Sequence, residues 1–82
     1  MPYIDQSARV ALDRDGSVPR TVGELTYTLT RQVIEYVAVK GVRFATYADV
    51  LAALDATARE FYRRQVAPYE DEKIAANGDV YP

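Results

Sequence analysis

The chain contains neither cysteine nor histidine. No disulfide can staple it, and no structural zinc site of Cys and His can be built. The same absences remove the commonest general base and the best thiol nucleophile. Serine is almost as scarce: Ser7 and Ser17 are the only two, both in capping or turn contexts. The four glycines are scattered, so there is no Gly-rich phosphate loop. No apolar run approaches the ~20 residues that a membrane-spanning helix needs. Met1–Asp5 lacks the basic and apolar regions of a signal peptide. Net charge is −2, with acids and bases interspersed, which is not the footprint of a nucleic-acid binder. These absences point to a non-enzymatic, cytoplasmic protein without cofactor or metal.

What is present suits a small helical domain. The 82 residues allow one domain, and 49% apolar content argues against disorder. A chain this short buries a modest share of its surface, so well-packed helices or association with another chain must supply stability.

Met1–Ile4, with Pro2, reads as extended. Asp5 or Ser7 is placed to cap a short helix through about Asp13. Asp15, Gly16, Ser17 and Pro19 form a turn-rich linker. Thr21 and Glu24 then stand at capping-box spacing, opening a helix that runs to about Lys40, with Gly41 as its stop. Val22, Leu25, Leu29, Val33, Tyr36 and Val37 share one face of it, flanked by Tyr27, Ile34 and Ala38. That apolar arc is wider than one packing partner needs. Tyr27 and Ile34 are therefore candidates for a second contact.

After a short connection, Val42–Ala45, Thr46 is expected to cap a second long helix. Tyr47, Val50, Leu51, Leu54, Ala58, Phe61, Tyr62 and Gln65 fall on one face. Asp55 with Arg59 and Glu60 with Arg64 are i,i+4 pairs with the acid first, each worth ~0.3–0.5 kcal/mol. Pro68 lacks an amide hydrogen, so the helix is expected to end or kink near Val66. A last helical turn or two follows, Tyr69–Ala76, stopped by Asn77 and Gly78, with an extended tail from Asp79. The expected fold is all-α. It is an antiparallel pair of long helices with a short N-terminal helix and a C-terminal helical extension. Two such helices cannot enclose a full core, so a homodimer or higher oligomer would complete the bundle. Ala48, Ala52 and Ala56 form a small-residue stripe that suits the approach of another subunit.

Two clusters carry possible chemistry. Glu70, Asp71, Glu72 and Asp79 are a candidate site for a hard cation, but their spacing matches no calcium loop. Acids after Pro68 equally complement a helix N-terminus. Arg59, Arg63 and Arg64, with Lys73 further on, form a basic patch that can hold a phosphate. Tyr62, Tyr69 and Tyr81 lie near it and can stack on a base. Alternatively, Arg59 and Arg64 are neutralised by Asp55 and Glu60, and the tyrosines cover core.

Five stretches carry a resemblance. They are Pro2-Tyr3-Ile4, Gly23-Glu24-Leu25-Thr26-Tyr27, Glu60-Phe61-Tyr62-Arg63-Arg64, Pro68-Tyr69-Glu70-Asp71-Glu72-Lys73 and Asn77-Gly78-Asp79-Val80-Tyr81. Together they resemble a small family of unknown function found in bacteriophages, prophages and some microbes. Thr26 stands where that family more often has Asn, and the Asp13–Arg20 stretch is short for it. The resemblance implies an accessory or anti-defence protein of the bacterial host cytoplasm that works by binding. On that reading Tyr62, Arg63, Arg64, Tyr69, Lys73 and Tyr81 would sequester a small anionic ligand such as a nucleotide second messenger. The alternative is a protein-interaction module that inhibits a host defence complex or serves as a minor phage assembly factor. A DNA-binding regulator is the weakest reading, because no basic recognition helix is present.

Overall fold

The computed structural model describes residues 4–82. The extended start expected over Met1–Tyr3 lies outside them. The described residues are all-α, without strands: α1 (Gln6–Asp15), α2 (Val22–Lys40), α3 (Phe44–Phe61), a π-helical turn (Tyr62–Val66) and α4 (Ala67–Asn77). The last three run on as one helix over residues 44–77. The chain divides into two compact units, residues 1–46 and residues 47–82.

In the first unit, local side chains set both helix starts. Asp5 Oδ1 accepts from the Ala8 amide at 2.9 Å and the Ser7 hydroxyl at 2.7 Å, so Asp5 rather than Ser7 is the cap. Those two bonds hold the Asp5 carboxyl below its ordinary value, the Ala8 amide contributing most. Gly16 ends α1 with φ of 61°, a left-handed conformation that glycine adopts without Cβ strain. Thr21 Oγ1 accepts from the Glu24 amide at 3.0 Å, and Glu24 Oε1 accepts from the Arg20 amide at 3.0 Å. The capping box is thus formed with its return arm one residue earlier than the standard pattern. Within α2 the hydroxyls of Thr26, Thr28 and Thr30 donate to the carbonyls of Val22, Glu24 and Thr26. Those bonds satisfy three otherwise helix-indifferent residues.

Asp13 ties α1 to α2. Its Oδ2 accepts from the Tyr27 hydroxyl at 2.6 Å, and its Oδ1 lies 3.8 Å from Arg31 Nε. Polar contacts therefore hold α1 to the Tyr27 side of α2. Leu25, Leu29 and Ile34 remain about half exposed.

Helix α3 starts at Phe44, two residues before the Thr46 expected to cap it. Thr46 instead sits within the first turn. It is the one buried residue among those described, at 1% exposure, and its hydroxyl has no hydrogen-bond partner there. No apolar side chain among the described residues is buried.

Of the end or kink expected near Val66, the end is corrected: the helix is disturbed there but continues. The helix passes Pro68 by widening: the Ala67 amide donates to the Tyr62 carbonyl, five residues back, in place of the usual four. Proline offers no amide to the carbonyl four residues earlier and crowds it with its ring. A single π turn just ahead gives that ring room and lets the helix continue. Gly78 then stops α4 with φ of 91°, its amide bonded to the Ile74 carbonyl at 2.8 Å.

Candidate functional site

The candidate residues of the second unit fall on three features. Tyr62, Arg63 and Arg64 lie on the π turn, Tyr69 and Lys73 on α4, and Tyr81 on the tail. Asp79 Oδ1 accepts from the Tyr81 amide at 3.0 Å, turning the tail just after α4. A recess of ≈ 490 Å³ opens there, with Tyr62, Lys73 and Tyr81 among its walls. Three of the six candidates are thus brought together.

The other three lie elsewhere. Arg63 Nη2 donates to both Glu60 oxygens, at 3.1 and 3.3 Å, and Arg64 Nη1 lies 3.6 Å from the same carboxylate. Arg64 lines a separate, more open groove with Ala56, Phe61 and Gln65. Tyr69 is not among the recess walls; its ring centroid lies 5.4 Å from the Lys73 ammonium.

Around the recess the charge is mainly negative. Glu70, Asp71 and Asp79 line it against the single ammonium of Lys73. Tyr62 donates its hydroxyl hydrogen to Glu70. That bond, followed by the Glu70 charge itself, raises the Tyr62 phenol above its ordinary value of 10.0. Of the acidic residues weighed in the sequence as a cation site or as a complement to a helix N-terminus, Glu70, Asp71 and Asp79 line the recess and Glu72 does not. What their spacing could not reveal is that the tail folds back against them. No three acidic side chains among the described residues are arranged to hold a metal ion.

Of the residues singled out for association, Tyr27 is engaged by Asp13 within its own unit. Ile34 is half exposed, and Ala48, Ala52 and Ala56 run exposed along α3. No helix among the described residues is long and apolar enough to cross a membrane.

A family model for a domain of unknown function, DUF6899, matches residues 1–80. The chain belongs to this family. The DUF6899 match takes in both units, the π turn and every residue of the recess except Tyr81. No curated protein matches the chain, and no solved structure does.

Proposed function

We propose that this DUF6899 protein is a non-enzymatic binding module that works as a homo-oligomer, a second copy covering the apolar face of the helix over residues 44–77. The observation that carries this reading is the exposure of that face: Leu51 and Phe61 stand 68% and 62% exposed, and Tyr47 and Leu54 are also open. Within residues 47–82 only the tail accompanies the helix. A single helix cannot cover its own apolar side chains.

Two features favour a second copy as the occupant. Tyr47, Leu51, Leu54, Ala58, Phe61 and Gln65 alternate at spacings of four and three, the repeat that meshes with another helix of the same repeat. The neighbouring charges are matched along their own helix: Asp55 with Arg59 at 2.8 Å, Glu60 with Arg63 at 3.1 Å. Two copies therefore approach without like-charge conflict at the seam. The natural absence of cysteine makes a direct test clean. Leu54→Cys is expected to form a disulfide-linked dimer under mild oxidation, and Arg59→Cys, off the seam, is not. Equal cross-linking at both positions would refute the proposed face.

The phage setting, and an anti-defence or assembly role with it, follows from the sequence resemblance. In that setting a host protein could occupy the same face. A second reading, sequestration of a small anionic ligand such as a nucleotide, is favoured by one observation. Arg63 and Arg64 share the single carboxylate of Glu60, leaving positive charge in excess. It requires that nucleoside triphosphate binding be lost in Arg63→Ala with Arg64→Ala.

A further inference from the structure

Helix α2, in the other unit, carries a second exposed stripe. Val22, Leu25, Leu29, Gln32, Tyr36 and Val39 follow one another at alternate spacings of three and four, the repeat of a helix–helix seam. Val22 and Val39, at its two ends, are 82% and 83% exposed, and Leu25 and Leu29 stand about half exposed. Helix α1 leaves the stripe open, because Asp13 reaches Tyr27 and Arg31 on another side of α2.

We propose that this stripe pairs with α2 of a second copy, parallel and in register. The inference rests on the association proposed above. With 19 residues α2 offers fewer than three heptads, so it needs the copy that the face over residues 44–77 brings close. The occupant and its direction follow from three polar residues. Gln32 is the one amide in an otherwise apolar and aromatic stripe. In parallel register it meets the same residue of the second copy, and each amide can donate to and accept from the other. Antiparallel alignment of the stripe would set Gln32 against Leu29 and strand its amide in an apolar seam. The flanking charges agree. Glu35 precedes Tyr36 and Lys40 follows Val39, the two positions that face each other across a parallel seam. Antiparallel alignment would set them against Thr26 and Thr21, which carry no charge. Within the chain Glu35 shares Arg31 with Asp13, at 3.6 and 3.8 Å, so its carboxylate has room for a further cation. The stripe is thus complementary to itself in one orientation.

The test is disulfide coupling of single-cysteine variants of the full chain under mild oxidation. Val22→Cys and Val39→Cys lie on the stripe and Ala38→Cys lies off it, while Leu54→Cys reports separately on the face over residues 44–77. Retained helical circular dichroism checks the fold of each. Parallel register predicts covalent dimers of Val22→Cys alone and of Val39→Cys alone, formed about ten-fold or more faster than those of Ala38→Cys. Adding Glu35→Lys is expected to slow both, and adding Glu35→Lys with Lys40→Glu to restore them. Coupling at Leu54→Cys with none at Val22→Cys or Val39→Cys would overturn this inference and leave the other face standing. That is also the outcome if the chain's own helix covers the stripe. Coupling only in a mixture of Val22→Cys with Val39→Cys would mean antiparallel pairing and would overturn it too, as would equal rates at Ala38→Cys. Failure at Leu54→Cys and on the stripe together would sink both readings.

Discussion

Tyr62 donates its phenolic hydrogen to Glu70, eight residues on, across the π turn that carries the helix past Pro68. The bond favours the neutral phenol, so Tyr62 ionises above its ordinary value of 10.0. Its folded-state value is therefore raised over that of the unfolded chain. The stabilisation is complete below pH ~10 and is lost as pH rises through the Tyr62 value. Ultraviolet titration of the tyrosines should show two late-ionising groups, Tyr62 and Tyr27, the second raised chiefly by its own bond to Asp13. Glu70→Gln should return Tyr62 toward the others and leave Tyr27 late.

Pro68→Ala tests why the π turn exists. Alanine restores the amide that proline lacks and removes the ring that crowds the preceding carbonyl. Regular α-helical bonding through residues 62–67 then becomes available. Stability against urea is expected to rise by about 1 kcal/mol or more. The one-residue change in register should also pull Tyr62 away from Glu70, so of the two late-ionising tyrosines only Tyr27 should remain. A destabilised variant that keeps both late-ionising tyrosines would contradict this account of the turn.

Thr21→Ala removes the hydroxyl that accepts from the Glu24 amide at 3.0 Å. The expected cost is about 1 kcal/mol, read as a lower urea midpoint. Thr21→Ser should recover most of it, because serine caps as well.

The attachment of α1 rests on Asp13, which receives the Tyr27 hydroxyl and faces Arg31. Asp13→Ala is expected to speed amide exchange over residues 6–15 several-fold while leaving the interior of α2 protected. Tyr27→Phe, which loses the hydroxyl and keeps the ring, should show a smaller effect in the same segment.

Local rules made much of this fold legible. The Thr21–Glu24 cap, the Gly41 and Gly78 stops and the Asp55–Arg59 pair depend on residues a few positions apart, and each stands where its spacing puts it. Pro68 was legible as a disturbance but not as a π turn. Helix end and helix widening both relieve the same clash, and local sequence does not choose between them. Thr46 misled as a cap because cap preference reads one side chain, while α3 starts two residues earlier. At the candidate site, the basic residues were conspicuous as a run. The Glu60–Arg64 pair stands where its spacing puts it, and Arg63 joins the same carboxylate; the return of the tail toward Glu70 is a matter of side-chain direction that linear spacing leaves open.

Sedimentation equilibrium across the micromolar range, on the natural chain and on Leu51→Glu with Phe61→Glu, tests the central claim most directly. A covered seam predicts dimers or larger assemblies of the natural chain, reduced to monomers by the two charges, with loss of cooperative unfolding. A natural chain that stays monomeric, helical and cooperatively folded at every concentration would contradict it.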